Sequence, residues 1–182
     1  MTKPCDGTSV GLYIWSADRT EQLMIERNTA PAGIACVAGH GDLTTEHPTF
    51  EEAARAEVFE EIGLEVVDLK PLPGGGFHPG RCRRPGSTGH KWHLFEAVVS
   101  GDLIISPREV RRAGWWPLAE IQHLAERTAD HAAGLITPEE FATHPGLEPV
   151  WCHHMAELGH IDLDAEDLDA IETLAATPPV QR

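Results

Sequence analysis

The sequence predicts an α/β sandwich, with a mixed sheet held between helices over residues 1–128. A helical C-terminal extension, residues 129–182, is expected to pack on the same domain. Three observations predict this. Short apolar runs bounded by Gly, Pro and Asp recur through the first part and read as strands. One amphipathic helix, residues 49–62, interrupts them. From residue 129 onward the strand patterns give way to short helical ones. The chain has 182 residues, 41% of them hydrophobic, which is enough for one domain with a real core.

Residues 8–16 read as a first strand: Val10, Leu12 and Ile14 alternate with Tyr13 and Trp15, so both faces can be covered. A polar connection leads to a second strand, residues 21–27, and the two suggest an antiparallel hairpin. Pro31 and Gly33 mark a loop, and residues 34–38 form a short apolar strand. Thr49 fits the N-cap of the helix, with Glu52 three residues on as in a capping box, and Gly63 fits its left-handed end. Residues 64–72 are strand-like until Pro73-Gly74-Gly75-Gly76 breaks them. Residues 80–89 form a glycine-rich basic loop. Strands follow at 90–99, 103–105 and 114–116, and Pro117 opens a helix to about residue 126. Residues 138–142, 150–158 and 165–174 read as three short helices, and the tail from Thr177 as a frayed end.

Net charge is −15, which disfavours an extended nucleic-acid or anionic-membrane surface. No apolar run approaches the length of a membrane span, and the N-terminus has no apolar signal region, so a cytoplasmic protein is expected. The four cysteines are scattered without a CxxC pair and read as reduced thiols.

The chemistry concentrates on the 49–62 helix. Glu57, Glu60 and Glu61 are spaced i, i+3, i+4 and share one face, where like charges repel. Phe50, Ala54, Val58 and Ile62 form an apolar stripe, with Glu61 at its edge and Glu57 beside it. The carboxylates therefore belong at the rim of a core, and a cation would turn repulsion into shared coordination. Oxygen donors of this kind suit Mg²⁺ or Mn²⁺. The bland alternative is an acidic, solvated helix face.

The run Ala56-Glu57-Val58-Phe59-Glu60-Glu61-Ile62-Gly63-Leu64 resembles the second half of the Nudix signature, G-x5-E-x7-R-E-U-x-E-E-x-G-U, in which U is aliphatic. Ile25-Glu26-Arg27 and Gly114-Trp115-Trp116-Pro117 also resemble that family. Two departures stand out. Ala56 replaces the signature Arg, and the loop at 40–48 displaces the first signature Glu, so that Glu46 falls one residue late from Gly39. In the family these two residues tie the loop to the helix and orient a catalytic Glu.

The resemblance implies metal-dependent hydrolysis of a nucleoside diphosphate linked to another moiety. It assigns Glu57, Glu60, Glu61 and the Gly39 carbonyl to Mg²⁺, adds Glu109 as a later-loop carboxylate, with Glu96 a weaker candidate, and places Arg27 toward substrate. Nucleoside triphosphates, dinucleotides, nucleotide-sugars and ADP-ribose are all compatible. Arg81, Arg83 and Arg84 are the dense basic cluster of an acidic chain and are candidates for phosphate capture; the alternative is a solvated loop tip. Trp92 could stack on a base and His90 touch a phosphate, whereas His93 points the other way along the strand and reads as an ordinary histidine.

Three competing readings stand beside this one. The missing Arg and displaced Glu favour a Nudix-like binding or regulatory domain with little hydrolysis. Cys36 and His40 near the signature leave room for isomerase-type chemistry on a diphosphate ester. Cys152-His153-His154, with His160 nearby, invites a zinc site, but a helix packing Trp151 and Met155 on the core explains it better. Exposed sheet edges would permit a homodimer.

Overall fold

The computed structural model describes residues 3–29, 32–43, 45–80, 82 and 84–177. Two sheets carry the fold. In the larger, β1 (Thr8–Ile14) lies between β4 (Val37–His40), antiparallel to it, and β7 (Gly89–Ser100), parallel to it. β7 continues the sheet through antiparallel pairing with β5 (Glu65–Pro71) and β6 (Gly76–Pro79). In the smaller, β2 (Glu21–Arg27) is flanked by β3 (Ile34–Ala35) and β8 (Val110–Pro117), both antiparallel. The mixed α/β architecture is the one the strand and helix patterns predicted.

The 8–27 hairpin is a correction. Strands β1 and β2 touch through a single bridge, Trp15 to Gln22, and then part into different sheets. A strand has two hydrogen-bonding edges, and those of β1 are taken by β4 and β7. The 34–38 run is likewise two strands. It crosses from the small sheet to the large one at Cys36, whose buried sulfur accepts a 3.2 Å hydrogen bond from Gln22 Nε2. That crossing delivers Gly39 and His40 to the edge of β1.

Residues 103–105 form no strand. Their segment folds onto the end of α1 (Phe50–Ile62), where Ile104 N–H donates to the Ile62 carbonyl (2.9 Å) and Ser106 N–H to that of Glu61 (2.8 Å). Carbonyls at a helix C-terminus lack intrahelical partners, so they capture this segment in place of a ladder. The helix begins and ends as its caps predict: the Thr49 hydroxyl accepts from Glu52 N–H (3.2 Å), and Gly63 adopts φ 71°. Its buried residues are Ala53, Ala54, Val58, Glu61 and Ile62. Stacking of Phe50 on His93 of β7 (ring centroids 3.5 Å apart) docks its first turn on the large sheet.

The C-terminal part adds α2 (Leu118–Ala132), α3 (Pro138–Thr143), α4 (Pro149–Glu157) and α5 (Ala165–Ala176). Helix α2 runs past its expected end near Glu126. Trp151 of α4 is fully buried and lies edge-on to Tyr13 of β1, with ring centroids 5.5 Å apart. A Cβ at Gly11 would come within 2.6 Å of the Trp151 ring, so the bare glycine makes room for the indole. The extension thus shares the core of β1 instead of standing apart from it. Among the described residues no helix is long and apolar enough to cross a membrane.

Candidate active site

The carboxylates of α1 separate by depth. Glu60 is exposed, Glu57 half-buried and Glu61 buried. The Ala38 N–H donates to Glu61 Oε2 at 3.4 Å, which ties the helix to β4. One residue on, Gly39 presses against the Glu57 carboxylate so closely that a built Cβ would overlap it. The signature glycine and two of the helical acids therefore meet where β4 leaves β1.

Burial, with like charges second, raises both acids. Burial, then the charges of Glu60 and Glu109, push Glu57 up to about 8. Burial, then Glu57, push Glu61 up to about 8, opposed by Arg27 and the Ala38 N–H. Glu109 acts on both, although it lies far along the chain. It is brought there by the segment fastened to the end of α1, and the Asn28 N–H donates to its carbonyl at 2.8 Å. Its side chain also pairs with Arg108 at 2.7 Å. Arg27, at the end of β2, completes this side and reaches Glu148 at 3.5 Å. Glu96, the weaker candidate, is engaged instead by both terminal nitrogens of Arg19.

On the other side stands Arg84. It donates to Asp42 Oδ2 at 2.6 Å, and its charge is felt at Glu57. Asp42 is buried and left-handed (φ 48°), and it pairs with Lys3 at 3.0 Å as well. Burial opposes its ionisation, yet Arg84 and Lys3 outweigh that and hold it below the ordinary carboxylate range. Arg81 and Arg83, candidates with Arg84 for phosphate capture, lie outside the described residues. Sequence reasoning missed Asp42 and Lys3. An acid two residues after a paired glycine and histidine carries no periodic signal, and its partners come from the chain start and from a loop forty residues on.

The aromatic candidates are placed elsewhere. Trp92 turns to the extension, edge-on to His154 (5.1 Å) and Trp151 (5.7 Å). His90 faces His40 (ring centroids 5.1 Å apart) and Cys5. Among the described residues the structure thus gathers Gly39, Glu57, Glu61, Glu109, Arg27 and Arg84 around one rim, with Glu60 on its exposed side. Cys152 and His154 are buried under the core, with Trp151 and Met155 beside them.

The fold and site together define a mixed α/β protein in which acids of one helix, graded from exposed Glu60 to buried Glu61, pack against a glycine of the neighbouring strand. The Nudix domain family model matches residues 6–137. The chain belongs to the Nudix family. Solved structures agree on the fold. A MutT Nudix hydrolase from Burkholderia pseudomallei is 21% identical, covering 64% of this chain and 85% of its own, with a TM-score of 0.51. The Nudix domain of Shewanella oneidensis NrtR, complexed with ADP ribose, is 16% identical, covering 68% and 79%, with a TM-score of 0.51. A Nudix hydrolase from Nitrosomonas europaea is 18% identical and covers 87% and 91%, with a TM-score of 0.53, so the likeness in fold continues past residue 137. A comparison with curated proteins found no match.

Proposed function

We propose that the chain is a Mg²⁺- or Mn²⁺-dependent hydrolase of a nucleoside diphosphate linked to another moiety. The observation that carries this reading is the meeting of Glu57, Glu61 and Gly39, with Glu60 beside them and the charge of Glu109 raising both Glu57 and Glu61. The donor set fits a hard divalent cation: three carboxylates and a backbone carbonyl, all oxygen, with repulsion that a cation relieves. Glu57, Glu60, Glu61 and the Gly39 carbonyl would hold it. Such an ion, when bound, offsets the diphosphate charge and lowers the pKa of a coordinated water.

The other roles belong to the chain itself. Glu109, outside that ligand set, takes the proton of the attacking water. Arg84, oriented by Asp42, binds a phosphate oxygen through its guanidinium fork. Arg27 screens Glu61 and flanks the substrate. The test is turnover of Glu60→Gln and Glu61→Gln variants on a panel of nucleoside triphosphates, dinucleotides, nucleotide-sugars and ADP-ribose, with Mg²⁺ or Mn²⁺. Loss of turnover in both supports the assignment, and unchanged turnover in both removes it.

A second reading, a nucleotide-binding domain with little hydrolysis, is favoured by Ala56 at the position of the signature Arg. Calorimetry beside turnover separates the two: tight binding without product selects the binding domain.

A further inference from the structure

We propose that Cys5, His40, Cys82 and His90 form a Cys₂His₂ zinc site that clips the basic loop to the start of the sheet. The four come from separate segments: the residues before β1, the end of β4, the loop after β6 and the start of β7. Their spacing in sequence follows no metal-binding pattern. Strand pairing assembles them, because Ser9 opposes His40 across β1 and β4, and the Lys91 N–H donates to the Gly7 carbonyl at 2.8 Å.

The donor atoms converge. One atom from each residue lies within 4.8 Å of all the others. Cys5 Sγ is 3.1 Å from His90 Nε2, and His40 Nε2 is 3.2 Å from Cys82 Sγ. A tetrahedral zinc with ordinary Zn–S and Zn–N bonds sets its ligands about 3.3–3.8 Å apart, so closing this cluster takes adjustments of ångström size or less.

Each sulfur has a backbone donor facing it. The Gly7 N–H donates to Cys5 Sγ and the Arg84 N–H to Cys82 Sγ, both at 3.3 Å and both from two residues downstream. Such outer hydrogen bonds orient a ligating sulfur and stabilise its charge. Two thiolates and two imidazoles give a neutral assembly with Zn²⁺, and sulfur donors favour zinc over the hard cations suited to the α1 carboxylates. The two sites are therefore chemically distinct, and the zinc proposal stands whether or not the chain hydrolyses a diphosphate. Its consequence in the fold is local. Cys82 sits two residues before Arg84, so the clip would hold the stretch that presents Arg84 to Asp42.

The experiment is metal analysis of the untagged full chain, with cobalt substitution and thiol titration. One zinc per chain is expected, together with the visible absorption of tetrahedral cobalt–thiolate ligation after exchange. Zinc should be lost from Cys82→Ser and His90→Asn but retained in the Glu57→Gln, Glu60→Gln double variant. The cobalt spectrum of the unaltered chain keeps the test decisive if a substituted chain fails to fold. Absence of both zinc and the cobalt–thiolate absorption would overturn the proposal. So would a Cys5–Cys82 disulfide found by mass spectrometry of protein purified without oxygen, or zinc that leaves with the glutamates and stays in Cys82→Ser.

Discussion

The Glu57 carboxylate occupies the space in which any side chain at residue 39 would begin. Gly39 is therefore required by the acid above it, since a Cβ would drive the carboxylate from the rim where it meets Glu61 and Glu109. The Gly39→Ala variant should keep its fold by circular dichroism and lose about 100-fold in turnover, the order expected when a reacting constellation is displaced by about 1 Å. Full activity in a folded Gly39→Ala chain would break the link between this contact and catalysis.

The raised carboxyls make stability depend on pH in a way that metal reverses. Glu57 and Glu61 titrate from 4.5 in the ordinary state to about 8 in the fold. Between those values the folded chain holds more protons than the unfolded one. Without metal, this stabilising contribution is complete below 4.5 and is lost as pH rises through 8. A bound cation favours the ionised acids. The rise in melting temperature on adding Mg²⁺ should therefore grow from about pH 5 to about pH 8, and shrink in Glu61→Gln. Scanning calorimetry with Mg²⁺ and with EDTA measures it. A shift independent of pH would contradict the assignment.

His154 works in the opposite sense. It is fully buried, and neither ring nitrogen has a hydrogen-bond partner among the described residues. Burial, then the neighbouring His78 and His153, lower it from 6.5 to about 3. The unfolded chain takes up this proton first, so the stabilising contribution is present above 6.5 and is lost as pH falls toward 3. At its steepest the loss is roughly 1.4 kcal/mol per pH unit. Chemical denaturation from neutral to acid pH should show a shallower decline in His154→Leu than in the unaltered chain. Equal slopes would place the acid sensitivity elsewhere.

Local signals carried well and crossing signals did not. Helix α1 was legible because its caps, apolar stripe and acids all lie within fifteen consecutive residues or so, and a period of 3.6 records them. Gly39 was legible only through the signature, since nothing in its own neighbourhood shows that Glu57 will press on it. The split of β1 from β2 was not legible. Alternation fixes which faces a strand buries, but not which partner takes each edge. Residues 103–105 look like a strand because they are apolar, and it is the unpaired carbonyls at the end of α1 that claim them. Asp42 and Arg84 meet across forty residues of chain, a distance no local pattern spans.

That pair bears on the missing signature Arg. The signature that residues 56–64 resemble carries an Arg on the helix and a Glu in the preceding loop, which the resemblance implies would tie the two together. Here the helix offers Ala56, and the loop is held by Asp42, which grips Arg84 at 2.6 Å and Lys3 at 3.0 Å. The tie therefore runs to the basic loop instead of the helix, and it places a guanidinium whose charge reaches Glu57. Arg84→Ala should lower kcat/KM by about 10- to 100-fold, the range of a lost charge-assisted hydrogen bond, mainly through a higher KM. Arg84→Lys keeps the charge without the fork and should recover part of that loss. Asp42→Asn leaves Arg84 in place but releases it, so its effect should also fall on KM. Initial-rate kinetics on the best substrate of the panel separate these cases. An Arg84→Ala chain with unaltered KM and lowered kcat would move Arg84 from substrate binding to support of Glu57.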